Sequence, residues 1–189
     1  MESQDYRKMR QIIRPGLVLL LGLFLGLLWG CQAKEPPLSP AAASFKQEIK
    51  ECIDRLVNPL LEPVRKRNTG AINEILKQIE PEAIKLCRMC PFRIGVMAKN
   101  GDTLAVYPPR KNAHLDFYQY EVVQSVLKNR KTAQQQLFLQ DGSRLYVICV
   151  PLLQKERLVG MLALALSAAD ARSRWGLDEK EFLVLDFNR

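Results

Sequence analysis

Cys87-Arg88-Met89-Cys90 places two soft nucleophiles at a spacing that lets them react with each other. Two thiols held this way could close as a redox dithiol, or either could join Cys52 in a disulfide. A catalytic dithiol normally opens a helix, whose positive end lowers one thiol pKa, whereas this pair closes a predicted helical stretch. Covalent haem would need a histidine after the second cysteine, and Pro91 stands there. The pattern therefore favours a structural disulfide among Cys52, Cys87 and Cys90 over catalysis, with Cys149 a buried thiol in an apolar strand.

A second concentration of chemistry lies between Tyr107 and Tyr120, where Arg110, Lys111, His114 and Tyr118 share a short segment. Guanidinium and ammonium groups beside phenol rings are what a small carboxylate needs: charge-assisted donors and aromatic walls. Arg144 and Tyr146, two residues apart on a predicted strand, fall on one face of it and join this set. The candidate ligand-binding residues are thus Tyr107, Arg110, His114, Tyr118, Tyr120, Arg144 and Tyr146. The blander reading makes the cations exposed loop charges and the tyrosines half-buried covers of a sheet. His114 is the only histidine and has no clustered acids beside it, so no metal site is expected. No Gly-X-Ser-X-Gly elbow, His-Glu-X-X-His helix or glycine-rich phosphate loop is present, so neither an enzyme nor a cofactor is expected.

Cys31 has a different chemistry. Leu17 to Trp29 is an uninterrupted run of apolar residues and glycine, preceded by Arg7, Lys8, Arg10 and Arg14. That layout is a secretory signal's, and the run is too short to span a bilayer core. Leu28-Trp29-Gly30-Cys31 resembles the lipobox of bacterial lipoproteins, although Trp29 is bulkier than the usual small residue. The resemblance implies that residues 1–30 are removed, that Cys31 carries acyl chains, and that the chain faces the periplasm. Several acyl chains anchor where one does not, since each buried methylene contributes about 0.8 kcal/mol. In enteric-type sorting Asp after the lipidated cysteine retains a protein at the inner membrane; Gln32 favours the outer membrane instead. Residues 31–43, rich in proline and small residues, read as a tether.

The formal charge of +8 falls to +6 without the first thirty residues, which remove four basic and two acidic side chains. No basic run interleaved with aromatics appears, so nucleic acid is not an expected partner. Residues 44–189, beyond the tether, are enough for one core and therefore one domain.

Apolar positions Phe45, Ile49, Cys52, Ile53, Leu56, Leu60 and Val64 recur at helical spacing after Ser44, a predicted N-cap. Asn58-Pro59 and Pro63 should kink or divide that helix. A second helix should start after Thr69-Gly70, burying Ile72, Ile75, Leu76, Ile79 and Ile84. Residues 92–98 and 103–107 then read as a hairpin about Asn100-Gly101. A helix over 115–129 comes next, then strands over 132–139, 144–153 and 157–166, completing a five-stranded antiparallel sheet. Ser167 should cap a short helix to about Arg174, and residues 177–187 should return over the core.

This order, with Gly95-Val96-Met97-Ala98-Lys99-Asn100-Gly101-Asp102-Thr103-Leu104, the aromatic start Asp116-Phe117-Tyr118, and the pair Tyr146 to Leu152 and Leu158 to Leu166, resembles the Cache domain, the extracytoplasmic PAS-like sensor fold of bacterial receptors. The resemblance implies an α+β domain in which a long N-terminal helical segment backs the sheet and a covering helix encloses a small metabolite, such as an organic acid or amino acid. No output segment is legible after Leu183-Val184-Leu185-Asp186-Phe187, so a signal would pass to an envelope receptor or through a homodimer. The competing expectation is a structural or assembly lipoprotein that acts by protein contact without a ligand. An envelope thiol oxidoreductase built on Cys87 and Cys90 is a third.

Overall fold

The computed structural model describes residues 38–79, 94–109 and 117–188. Its first element is helix α1, Pro40–Arg65, and its start differs from the expected one at Ser44. Ser39 is the N-cap, its hydroxyl accepting from the Ala42 amide at 3.1 Å, and Pro40 occupies the first helical position, where its missing N–H costs nothing. Residues 40–43, read from composition as the end of a tether, are therefore helical. Nor do Pro59 and Pro63 divide α1, which runs through both. Four residues apart, they share its outer side, where Pro59 is exposed and Pro63 half-buried, so the carbonyls that lose a helical donor can turn to water. The inner side buries Phe45, Ile49, Leu56, Leu60 and Val64 almost completely.

Helix α1 ends in a Schellman motif: Arg67 N–H bonds to Val64 O and Asn68 N–H to Pro63 O, with Arg67 in the left-handed region at φ 52°. Asn68 then caps helix α2, Thr69–Gln78, by accepting from the Ala71 amide at 3.1 Å. One residue thus closes a helix and opens the next. Ile72 and Leu76 of α2 are buried as expected; Ile84 lies outside the described residues.

Strands β1, Ile94–Ala98, and β2, Thr103–Tyr107, form the predicted hairpin, with Gly101 at φ 90° in its turn. Helix α3 spans Glu121–Asn129, shorter than the expected 115–129, because residues 117–120 form a turn ahead of it. Strands β3, Ala133–Phe138, β4, Arg144–Gln154, and β5, Arg157–Ser167, come after it. The five strands make one sheet in the order β2-β1-β5-β4-β3, antiparallel throughout. Between β4 and β5 the two-residue turn Lys155-Glu156 has φ 48° and 65°, the left-handed pair that such a hairpin demands, without a glycine.

Helix α4, Ala168–Trp175, is capped by Ser167 and ended by Gly176 at φ 71°. Helix α5, Glu179–Val184, has a full capping box between Asp178 and Glu181. The chain thus returns over the sheet as expected. Phe45 receives Trp175, Phe182 and Phe187 edge-on, with ring centroids 5.2, 6.3 and 6.2 Å away. Glu48, one turn along α1, accepts from Trp175 Nε1 at 2.9 Å and pairs with Arg174 at 2.7 Å.

Both faces of the sheet are covered. On one, Ile94, Val96, Ile148, Leu152, Leu162, Leu164 and Leu166 pack with α1, α2, α4 and α5. On the other, Met97, Leu145, Val147, Cys149, Met161, Ala163 and Ala165 pack under Phe117 and the valines of α3. Gly160 sits against the end of α1: a Cβ there would overlap both Val64 Cγ1 and the Met97 carbonyl oxygen.

Candidate functional site

The face away from α1 is closed by a short cover, residues 117–129, and two glycines seat its aromatic start. The Phe117 ring lies against Gly95, where a Cβ would come within 3.3 Å of it. The Tyr118 ring lies over Gly101 so closely that a Cβ would overlap it. Tyr120 packs beside Phe117, centroids 6.1 Å apart, and has no side-chain cap bond to offer the helix it precedes. That bond comes from the edge strand instead: Gln135 Oε1 accepts from the Val122 amide at 3.1 Å, satisfying an orphan donor at the N-terminus of α3.

Gln135 is the middle of three glutamines with divided duties. Strand alternation turns its neighbours to the opposite face, where the Gln134 amide donates to the carbonyls of Phe182, Leu183 and Leu185 at the end of α5. Gln136, with its amide nitrogen turned inward, donates to the Glu179 carboxylate at the start of α5. The polar edge strand β3 is thus the joint between the cover and the C-terminal helix. These glutamines were not among the sequence candidates; the signal was a predicted strand polar at three consecutive positions.

The structure divides the sequence candidates between the two faces. Tyr118, half exposed, and Tyr120, half-buried, belong to the cover. Tyr107 and Tyr146 are buried on the α1 face, and Arg144, two residues before Tyr146, shares its face. Tyr107 on β2 and Tyr146 on β4 are three strand spacings apart, about 14 Å. The five described candidates therefore do not converge on one pocket; Arg110 and His114 lie outside the described residues. Cys31, Cys87 and Cys90 also lie outside them. Cys52 is buried on the inner side of α1. Cys149 is a free thiol wholly buried beneath the cover, and burial pushes its pKa up from 9.0 to about 12.

Arg144 and Tyr146 instead line a groove of about 610 Å³ on the α1 face, where the end of β5, α4 and the start of α5 meet. The Tyr146 ring stacks on Phe182, centroids 4.2 Å apart and planes 9° from parallel. Arg144 pairs with Glu179 at 3.3 Å and lies 5.4 Å from the centroid of the exposed Phe138 ring. The rest of the lining includes Ser167, Ala168, Ala169, Arg172, Asp178 and Lys180. Burial first, then the charges of Glu179 and Asp178, pushes the Tyr146 phenol above its ordinary pKa of 10.0, so it is a proton donor at neutral pH.

No family model matches this sequence, and no curated protein matches it. Solved structures do. The extracellular domain of a protein assigned as a histidine kinase, vpHK1S-Z8, superposes with a TM-score of 0.57 at 14% identity, over 74% of this chain and 57% of that one. A domain of a Vibrio parahaemolyticus protein assigned to the sensory box/GGDEF family gives 0.54 at 11% identity, over 78% of this chain and 61% of that one. This chain therefore spans about three-fifths of the length of each. The fold is Cache-like: a long N-terminal helix, a five-stranded antiparallel sheet and a short cover.

Proposed function

We propose that this protein is a lipid-anchored, extracytoplasmic binding module that takes up a small organic acid or amino acid beneath the cover, residues 117–129, and passes the signal to a partner. The observation that carries the reading is the construction of the cover. Aromatic side chains rest on glycine seats, and one glutamine of the edge strand holds the helix next to them. A short element whose buried contacts are a single helical turn's valines and one ring can lift from the sheet and close over a solute. The fold is also that of extracellular sensor domains, and Leu28-Trp29-Gly30-Cys31 supplies the anchor.

Two measurements test the two halves of the proposal. The full-length chain, isolated from membranes, is screened by thermal shift against organic acids and amino acids. A binder present at a hundred times its Kd stabilises the fold by about 2.7 kcal/mol through mass action, and amide protection of residues 121–129 rises with it. A flat screen together with unchanged protection excludes the binding role. Mass spectrometry should find an acylated Cys31 at the amino terminus, and Cys31→Ala should release the protein from membranes. An intact Met1 with an unmodified Cys31 would remove the anchor from the reading.

A further inference from the structure

Tyr146 is a buried residue whose polar end is not used by the rest of the fold. The residue is 3% exposed, and none of the described hydrogen bonds ends on its hydroxyl. Buried phenols ordinarily spend their O–H on a partner. No described polar side-chain atom is both fully enclosed and unpartnered, so the Tyr146 hydroxyl must reach the groove that its residue lines. The ring is fixed by stacking on Phe182, and the oxygen is therefore held at a set place rather than swinging.

Around that oxygen the charges are not all used. Asp178 caps α5 and Glu179 is held by Arg144, so both acids of the lining have internal work. Arg172 and Lys180 have no ion-pair partner among the described residues. Ser167 caps α4 through the Asp170 amide, which leaves the preceding amides of Ala168 and Ala169, also in the lining, outside that cap bond. Amides at a helix start point outward and favour negative charge. The groove lining thus brings together a phenol, a guanidinium and the first two residues of a helix, the chemistry of an oxyanion site. Asp170 in the first turn of α4, with Asp178 and Glu179, keeps the local charge low, which suits a monoanion better than a dianion.

We infer that the groove between β4, α4 and α5 binds a small monocarboxylate, its carboxyl group held by the Tyr146 hydroxyl, Arg172 and the Ala168 and Ala169 amides, with Lys180 adding long-range attraction. The groove volume of about 610 Å³ falls within the range of small-molecule sites. This site lies on the face of the sheet opposite the cover and does not depend on the ligand proposed there.

Titration of the isotope-labelled full-length chain with benzoate, acetate and inorganic phosphate tests it, read at the Ala168 and Ala169 amide resonances. Saturable shifts with benzoate or acetate are expected, with phosphate binding more weakly. Tyr146→Phe keeps the stacked ring and removes only the donor; it should weaken carboxylate binding about tenfold. Arg172→Gln, at the surface, should weaken it by a similar factor, which keeps the test valid if either variant alone is destabilised. No saturable shift with either carboxylate, affinities unchanged in both variants, or phosphate binding as tightly as the carboxylates would each overturn the assignment.

Discussion

On the α1 face of the sheet the core is broad and crowded with aromatic rings, whereas on the cover face it is narrower and Phe117 is its one fully buried ring among the described residues. Phe45, Phe182, Phe187 and Trp175 with leucine and isoleucine fill the first; Phe117, Met97, Met161 and Leu145 with valines, Cys149, Ala163 and Ala165 fill the second. The first is clasped by long-range bonds, Glu48 to Trp175 and Arg174 and Asn188 to Thr132, between parts of the chain far apart in sequence. The second is joined to the edge strand through Gln135, rests two rings on glycines, and packs the valines of α3 against the sheet. Apolar area removed from water contributes roughly 25 cal/mol per Å², so the face that buries more side chains carries more of the stability. The lighter face is then the one that can open without unfolding the molecule.

The strongest way to break this comparison is to remove the centre of the heavy side. Phe45 is fully buried and touches three other rings, so Phe45→Ala should cost about 3–5 kcal/mol. Chemical denaturation should show that loss in one transition, and a loss below about 1 kcal/mol would mean that α1 is not the principal support of the sheet. Gly160→Ala attacks the same face by crowding. Its Cβ would meet the backbone oxygen of Met97 as well as Val64, and the backbone cannot step aside as a side chain does, so about 1–3 kcal/mol is expected. A neutral result by the same denaturation would show that α1 can withdraw from β5 freely.

The same contrast explains how much could be read in advance. Strand and helix positions were legible because their periods differ, and β2 begins and ends where alternation placed it. The assignment of side chains to faces was not. From Leu145 to Val150 every residue of β4 is buried, since both faces are covered, and a run without polar residues carries no mark of which parity meets which helix. Tyr146 was accordingly grouped with the tyrosines of the cover when it faces away from them. The start of α1 was misread for a different reason. Ser39-Pro40 is a proper cap and first position, but the prolines and alanines around it have the composition of a tether. The groove leaves no mark in the sequence because it joins β4, α4 and α5, and Arg172 and Lys180 have no periodicity linking them to Tyr146. Lys155-Glu156 shows the opposite case: the apolar strands on either side revealed the hairpin although the turn lacks its usual glycine.

The smallest substitution effect should come from the joint itself, and it sharpens the comparison most. Gln135→Ala removes the cap bond to Val122, a loss of about 1 kcal/mol by the usual worth of such caps. If the cover is a separable unit, that loss falls on its opening, not on global unfolding, and about 1 kcal/mol multiplies the open population about fivefold. Cys149 reports it, because the thiol is fully buried in the cluster that includes Val122, Val123 and Val126 of the cover. Its folded pKa of about 12 against an ordinary 9.0 means that the native state holds the proton more tightly than the unfolded chain. Its contribution to stability is complete below about 9 and is lost as pH rises through about 12. At neutral pH, then, alkylation of Cys149 requires the cover to open, and mapping the modified peptide in Gln135→Ala should give a rate about fivefold above the parent. An unchanged rate would show that Gln135 does not hold the cover. A parallel fall in the stability of the α1 face would show that both faces melt as one, leaving no independent lid for a ligand to close.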